Sequence, residues 1–267
     1  MLLGTKIKRQ VGFLLTAWMY FTRVPLPAYI TNNVNYSQYS LEKCTRYLPL
    51  VGIVTGAAAG LVFLGADWLF ESKPVAVILS MIASILLTGA FHEDGLTDFF
   101  DAFGGGWWSK ERILEIMKDS RVGTFGSLAL IMALLLKFQC LLAVDSGALL
   151  VTLVAAHAFS RFTAASFTYT SAYVRENDQS YFKPIMKERM QRSDFLIAAL
   201  IGIAPTLLLG DWRFLLLLPL LWGVRVLFGR WFTGKIGGYT GDCLGATQQI
   251  VEICFYLGVI AMGRFIS

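Results

Sequence analysis

Long apolar runs alternate with polar segments along most of this chain. Seven of the runs are candidate membrane spans, because a helix of roughly 20 apolar residues crosses the hydrocarbon layer. Lipid offers no partner for free backbone groups, so we expect every span to be helical. The pattern predicts an all-α, polytopic helical membrane protein with about seven transmembrane helices plus interfacial helices. The predicted spans are residues 47–70, 74–91, 122–144, 147–169, 195–210, 214–232 and 250–265.

Residues 1–46 differ from the rest, and we expect them to form an N-terminal interfacial or re-entrant segment of a single integral membrane domain. Their apolar stretch, residues 11–24, is short for a span. Arg23, Pro25 and Pro27 end this stretch, and proline does not continue a helix. A helix lying in the membrane interface is therefore predicted here.

The composition agrees with lipid as the solvent. Of the 267 residues, 56% are hydrophobic and 15% are charged, whereas soluble domains are about 25% charged. The net charge of +5 comes from Lys and Arg between apolar runs, so we expect membrane lipid and no nucleic acid as a partner. The four cysteines form no CxxC pair and have no histidine at zinc-ligand spacing, which indicates reduced, structural thiols.

Three long polar connections, residues 92–121, 170–194 and 233–249, are rich in Lys and Arg, whereas the intervening turns are short and nearly free of them. By the positive-inside rule, the long connections face the cytoplasm. Two spans separate each long connection from the next, so all three emerge on the same side of the membrane. We therefore expect one cytoplasmic active site.

The first long connection opens with the acidic motif HEDGLTDFFD at residues 92–101. Asp94, Asp98 and Asp101 are spaced i, i+4 and i+7, which on a helix puts three carboxylates on one stripe. Such like charges repel unless a cation lies between them. Oxygen ligands favour Mg²⁺ or Mn²⁺ over zinc, so the stripe predicts a divalent metal site. A solvated acidic loop is the alternative interpretation.

The motif RILEIMKDSRVGTFG, residues 112–126, has the pattern of an amphipathic helix that lies on the membrane. Arg112, Lys118 and Arg121 are candidates to bind phosphate oxygens near the metal, or else to anchor the chain to anionic lipid. Asp119 is a candidate for a further metal-binding carboxylate.

The polar segment GGYTGDCLGATQQIVE, residues 237–252, opens the last span. Its glycines, among them Gly241, and the N-terminal dipole of the helix favour an anion, which makes this a candidate substrate-binding region. Asp242 and Glu252 are candidates to complete a metal site. Alternatively, Asp242 caps the helix.

Ionisable side chains also lie inside the predicted spans, where they are costly and count as functional candidates. His157 and Arg161 are one helical turn apart and share a face. They either form a buried pair with an acidic residue or bind substrate. Lys137 is expected to extend outward to the membrane interface.

Four motifs together resemble one known family, cobalamin synthase, also called adenosylcobinamide-GDP ribazoletransferase. They are RYLPLVGIVTG at 46–56, HEDGLTDFFDA at 92–102, RILEIMKDSRVGTFG at 112–126 and GGYTGDCLGATQQIVE at 237–252. The resemblance implies a multi-pass protein of the bacterial inner membrane and an Mg²⁺-dependent reaction. Adenosylcobinamide-GDP would react with α-ribazole, or its 5′-phosphate, to give adenosylcobalamin, or its phosphate, plus GMP. A homo-oligomer and other enzymes of cobalamin synthesis are candidate partners.

This reaction suggests roles for the candidate residues. Attack by a ribose hydroxyl on a diphosphate needs a metal to offset the charge on the leaving phosphate and a base to take the proton. Some of Asp94, Asp98 and Asp101 would hold Mg²⁺ while one acts as the base. The cations of residues 112–121 would bind the diphosphate, with His157 and Arg161 as outer candidates.

Two other functions are compatible with parts of the pattern. The acidic motif is similar to the DxxD signature of CDP-alcohol phosphotransferases, which also expel a nucleoside monophosphate. A seven-span protein with intramembrane charge could also be a transporter. Transporters, however, usually bind ions near the midplane in broken helices, whereas these carboxylates cluster at a membrane edge.

Overall fold

The computed structural model describes residues 2–31, 34, 38–174 and 189–266. All of the elements in these residues are helices, joined in one place by an isolated β-bridge between Tyr173 and Tyr239. The α-helices are α1 (Leu2–Phe21), α2 (Ala28–Thr31), α3 (Gln38–Cys44), α4 (Leu48–Phe70), α5 (Lys73–Thr88), α6 (Phe91–Gly105), α7 (Lys110–Ile116), α8 (Thr124–Ala143), α9 (Ser146–Ala165), α10 (Phe167–Thr170), α11 (Arg192–Ile203), α12 (Leu217–Ile236) and α13 (Gly241–Ile266). Short 3₁₀ helices are formed by Thr45–Tyr47, Ala204–Leu209 and Trp212–Leu216.

The predicted all-α membrane architecture is confirmed. In the described residues, six helical stretches are long and apolar enough to cross a membrane, and the bent pair α5–α6 makes a seventh if it counts as one span. The protein is therefore a multi-pass membrane protein. The six stretches are Tyr39–Phe70, Thr124–Ala143, Ser146–Thr170, Arg192–Leu209, Trp212–Ile236 and Gly241–Arg264.

The second predicted span ends earlier than the hydropathy pattern indicates. Its helix α5 stops at Thr88, and Gly89 and Ala90 both adopt left-handed backbone conformations, with φ of 68° and 58°. The chain then turns by 87° into α6. The acidic motif is consequently a separate helix that crosses the end of α5 nearly at a right angle, and the prediction that the span reaches Phe91 is wrong.

The amphipathic helix predicted for residues 112–126 is also shorter than expected. Helix α7 ends at Ile116, and a non-helical connection leads to α8 at Thr124. By contrast, the last helix is longer than expected, because α13 begins at Gly241 and not near Ile250. Most of the polar segment 237–252 is therefore helical.

Helix α4 packs closely on α9 through a row of glycines spaced four residues apart. Gly52, Gly56 and Gly60 face the backbone or side chain of α9 so closely that a Cβ atom on any of them would lie within 2.6 Å of a neighbouring atom. Small residues in this spacing let membrane helices approach each other, since apolar side chains gain little by leaving lipid. The contact explains the glycines of the RYLPLVGIVTG motif.

The N-terminal segment is built on one continuous helix, α1, which begins well before the apolar stretch that the sequence suggests. It packs against α3 and α4. Lys43 lies in α3, and Arg46 lies in the 3₁₀ helix that follows it. Lys43 Nζ and Arg46 Nη1 are each 2.6 Å from a carboxylate oxygen of Asp194, at the start of α11. These three buried charges join the N-terminal segment to the bundle.

Candidate active site

The described parts of the three long polar segments meet at one end of the helix bundle, which we call the polar end. Tyr239, just before α13, donates its backbone N–H to the carbonyl of Ala172 at 3.0 Å. Thr240 Oγ1 lies 3.5 Å from Sδ of Met117, which follows α7. Residues 175–188 of the second segment lie outside the described residues. The polar end thus combines parts of all three segments.

The three aspartates of the acidic motif lie along α6, but they differ in exposure. Asp94 is exposed, Asp98 is half-buried and Asp101 is buried. The difference arises because α7 and α8 pack against α6 and cover its C-terminal part. Asp94 is therefore the aspartate most accessible to a substrate.

Asp101 binds the N-terminus of α8. Its Oδ2 accepts the backbone N–H of Gly123 at 2.6 Å, and its Oδ1 accepts that of Gly126 at 2.8 Å. The first N–H groups of a helix have no partner within the helix, and they favour an anion. A Cβ atom at Gly126 would come within 2.3 Å of this carboxylate, which explains the glycines of the VGTFG motif. Both oxygens of Asp101 are thus engaged by the backbone.

Asp242 approaches α6 because two glycines allow α6 and α13 to touch. A Cβ atom at Gly95 would lie 3.2 Å from Cα of Gly245 and 3.3 Å from Cα of Asp242. The first turn of α13 therefore lies against the part of α6 that carries Asp94 and Asp98. Three carboxylate-bearing residues from two helices are thereby brought into one region.

Thr240 caps α13. Its Oγ1 accepts the backbone N–H of Cys243 at 3.3 Å, so Thr240 fills the capping role that the sequence offers to Asp242. Gly241, the first residue of the helix, is half-buried at the polar end. Asp242 follows it in the first turn, where the helix dipole favours a carboxylate.

An open groove of about 420 Å³ lies between α7 and the start of α8. Arg112, Arg121 and Asp119 line it, together with the buried Asp101. Arg121 donates to both oxygens of Asp119, with Nη2 2.6 Å from Oδ2, while Arg112 Nη1 lies 2.7 Å from Glu115 Oε2. Lys118 is exposed in the same connection.

The hydrogen bonds from Arg121, followed by its charge, lower the pKa of the Asp119 carboxyl to about 2. Asp119 is therefore ionised at neutral pH and is held by an arginine. Both arginines of the groove are solvent-exposed, with an exposed partner in Glu115 and a half-buried one in Asp119, so each can exchange its carboxylate for a phosphate at little cost.

His157 and Arg161 lie elsewhere, in the interior of the bundle. Arg161 Nη1 is 2.8 Å from His157 Nδ1, and both residues face Glu252 of α13, at 3.9 and 3.5 Å. Lys137 Nζ lies 2.6 Å from the same carboxylate. The expectation that Lys137 extends outward is wrong, because Lys137 is only 4% exposed.

Two amides of the predicted polar segment extend this interior cluster, and the sequence interpretation did not assign a role to either. Gln248 and Gln249 of α13 are buried and hydrogen-bonded to each other at 2.9 Å. The sequence contains a signal for Gln248, because Gln248, Glu252 and Tyr256 recur every four residues in an apolar helix and so share one face.

The donor atoms at the polar end fit a magnesium ion that is shared with substrate. Among the described residues, no three His, Cys, Asp or Glu side chains are grouped so that they could hold a metal by themselves. Mg²⁺, however, is usually bound by one or two carboxylates together with water and substrate phosphates. Asp94 and Asp98, one turn apart beside Asp242, carry carboxylates of the kind that such a site uses.

Comparison with known proteins identifies the family of the chain. A family model described as Cobalamin-5-phosphate synthase matches residues 13–260. The chain belongs to the cobalamin synthase family. The family resemblance seen in the sequence motifs is thereby confirmed, and it covers nearly the whole chain, including the acidic helix and the last span.

Several relatives of the cobalamin synthase family are named adenosylcobinamide-GDP ribazoletransferase. The protein of Shewanella frigidimarina is 43% identical over 258 residues, 96% of this chain and 96% of its own. That of Shewanella amazonensis is 45% identical over 258 residues, covering 96% and 97%. That of Ralstonia pickettii is 46% identical over 250 residues, covering 93% and 94%. No solved structure matches the chain.

Proposed function

We propose that the protein is an Mg²⁺-dependent adenosylcobinamide-GDP ribazoletransferase with its active site at the polar end. It joins adenosylcobinamide-GDP to α-ribazole, or its 5′-phosphate, and releases GMP. The observation that carries the proposal is that α6, which carries Asp94 and Asp98, leads at Asp101 into a groove lined by arginines. The names of relatives that align over almost the full chain support the choice of substrates.

Asp98 and Asp242 would hold Mg²⁺, which leaves Asp94 as the base. When bound, the ion supplies positive charge that stabilises the developing charge on the leaving phosphate. Asp101 is assigned a positioning role, because both of its oxygens accept backbone hydrogen bonds. Asp119 is likewise engaged by Arg121.

Apart from holding the metal, the residues of the chain perform two tasks in this reaction. Arg112 and Arg121 leave their carboxylate partners and bind the diphosphate, with Lys118 adding positive charge at the rim. An α6 aspartate takes the proton of the ribose hydroxyl, whose oxygen forms a bond to the phosphorus attached to cobinamide. The bond from that phosphorus to the oxygen of the GMP phosphate breaks, and GMP leaves with the electron pair. Asp94 is the better base of the pair, because it is the exposed one.

The polar end is proposed to face the cytoplasm from the bacterial inner membrane. The long polar connections carry the excess of Lys and Arg that the positive-inside rule associates with the cytoplasmic side. A nucleotide-activated substrate is also made where nucleoside triphosphates are available, which favours the same side.

The test is an assay of purified protein in detergent or liposomes with adenosylcobinamide-GDP and α-ribazole phosphate, with and without Mg²⁺. We expect corrinoid product and GMP in equal amounts, and only with the metal. Replacing the substrates by a CDP-alcohol and a second alcohol should give no CMP. Folded protein that forms no corrinoid product would refute the substrate assignment.

Asp94→Asn and Asp98→Asn test the site. Each should lower kcat by about 10²-fold or more, because general bases and metal ligands contribute on that scale. Asp67→Asn, a carboxylate near the end of α4 at the opposite end of the bundle, is the matched control and should keep the parental rate. If both α6 variants fold and turn over normally with Mg²⁺, the residue assignment is wrong.

A further inference from the structure

A connected network of buried polar side chains occupies the interior of the bundle. Its centre is Glu252 of α13, which accepts hydrogen bonds from Lys137 Nζ at 2.6 Å and from the Tyr256 hydroxyl at 2.9 Å. Gln248 Nε2 donates to Glu252 and also to Ser160 Oγ, at 3.0 Å, on α9. Three spans, α8, α9 and α13, are joined in this way below the polar end.

The network extends to the acidic helix through one amide. Gln249 Nε2 donates to Gln248 Oε1 at 2.9 Å and to Glu93 Oε1 at 3.0 Å, and Gln249 Oε1 faces Lys137 Nζ at 3.4 Å. Glu93 is in the first turn of α6 and is buried, whereas the next residue, Asp94, is exposed. The network therefore reaches Glu93, the residue next to the proposed base Asp94.

The packing of α6 on α13 does not by itself fix the direction of the first turn of α6. The two helices touch at Gly95 and Gly245, which have no side chains to interlock, while Asp101 anchors the far end of α6 to α8. Successive residues of a helix are about 100° apart around its axis, so a twist of the first turn would carry Asp94 toward the direction that Glu93 now takes. The hydrogen bond from Gln249 to Glu93 opposes such a rotation.

We propose that Glu93 and Gln249 are positioning residues that set the rotation of α6 and thereby point Asp94 and Asp98 toward the reacting groups. The proposal rests on the proposed function, because it assumes that these aspartates act on the substrate. It assigns the interior network a role in orienting the acidic helix, in addition to its role in packing.

The partners of Glu93 support a role beyond packing. Its Oε2 is buried and accepts no hydrogen bond from the described residues. Burying a carboxylate that is only partly satisfied costs stability, and an apolar side chain would avoid that cost. What the carboxylate provides is a strong, directional acceptor for Gln249.

The first test removes the donor without changing the size of the side chain much. Gln249→Leu should lower kcat about tenfold, while KM for adenosylcobinamide-GDP changes less than about twofold, because the groove arginines are untouched. Gln139→Leu, an exposed amide on α8, is the matched control and should leave both constants unchanged.

The second test exchanges the two partners. In Glu93→Gln/Gln249→Glu the amide and the carboxylate change places, and the new carboxylate lies beside Lys137, where Gln249 Oε1 is now 3.4 Å away. We expect Glu93→Gln and Gln249→Glu to lose turnover separately and the double variant to regain most of it. If the network only supports folding, the loss of kcat in each variant should instead be proportional to the drop in its thermal midpoint.

The third test does not depend on turnover and so separates this proposal from the proposed function. Asp94→Cys introduces an exposed thiol, while the natural cysteines are buried or half-buried. Maleimide should label Cys at this position rapidly, and adding Gln249→Leu should slow the labelling severalfold as α6 rotates. Unchanged labelling together with unchanged kcat would overturn the positioning role. An inactive parent protein with rotation-sensitive labelling would overturn only the proposed function.

Discussion

The ammonium group of Lys137 lies 2.6 Å from the carboxylate of Glu252 in the interior of the bundle. The two side chains are 5% and 0% exposed, so neither charge is solvated by water. Each is the main partner of the other, since His157 and Arg161 are farther from Glu252, at 3.5 and 3.9 Å. Removing only one member of such a buried pair lowers the free energy of unfolding strongly, because it leaves the other charge without a partner.

Replacing Lys137 by Met should therefore destabilise the protein strongly. The variant leaves Glu252 without its closest cation, and removing one partner of a buried pair typically costs about 3–5 kcal/mol. The measurement is the thermal midpoint of unfolding in detergent, monitored by the loss of the helical circular dichroism signal. The double variant Lys137→Met/Glu252→Gln removes both charges and keeps an acceptor for Tyr256, so it should lie closer to the parent. Equal losses in the single and double variants would contradict the pairing.

The sequence did not predict this pair because the two residues are far apart in the chain. Lysine near the middle of an apolar run can extend along the helix to the interface, and hydropathy alone favours that outcome. Only the packing of α8 against α13 brings Glu252 within reach. The same reason explains why Gln249 was missed, since its partner Glu93 lies on a helix whose direction the sequence did not give.

Other parts of the fold could be predicted because they depend on local composition. The long apolar runs determine the spans, and the aspartates at i, i+4 and i+7 share one helix as expected. The turn at Gly89 and Ala90 could not be predicted, because Ala90 carries no sequence signal for its left-handed conformation. It is this turn that makes α6 a separate helix.

Asp101→Asn should separate positioning from metal binding. The amide would present an N–H to the backbone N–H of Gly123 or Gly126, and losing a hydrogen bond to a charged group costs about 1.5–3 kcal/mol. We expect a lower thermal midpoint and a moderate loss of kcat, with an unchanged Mg²⁺ concentration for half-maximal rate. A large rise in that concentration would show that Asp101 is a metal ligand.

Asp145→Asn is the matched control for this substitution. Asp145 Oδ1 accepts the backbone N–H of Gly147 at 2.9 Å and so caps α9 at the opposite end of the bundle. Asn caps a helix about as well as Asp, so this replacement should leave both stability and turnover nearly unchanged.

Arg121→Ala should weaken binding of the diphosphate substrate. The variant removes a guanidinium from the groove, so KM for adenosylcobinamide-GDP should rise about tenfold while KM for α-ribazole phosphate is unchanged. Steady-state kinetics with each substrate varied in turn provide the measurement. An equal rise in both constants would argue against a specific phosphate contact.

Arg213→Ala is a close control because Arg213 binds Asp211 with the same local geometry. Its Nη2 lies 2.7 Å from Asp211 Oδ2, and the two residues are separated by one residue, as Asp119 and Arg121 are. Arg213 precedes α12, whose 20 residues lead to the polar end, so it lies roughly 30 Å from the groove. Its loss should leave both KM values unchanged.

The left-handed residue at the turn between α5 and α6 gives a last prediction. A non-glycine residue in this conformation costs roughly 1–2 kcal/mol, because its Cβ crowds the following carbonyl. Ala90→Gly should therefore raise the thermal midpoint, whereas Ala90→Val should lower it and reduce kcat, since a β-branched residue fits this conformation poorly. Glu71→Gly, at φ of 48° beyond α4, is the control: it should stabilise the protein without changing kcat. If Ala90→Val is as stable and active as the parent, the 87° turn does not determine the geometry of the acidic helix.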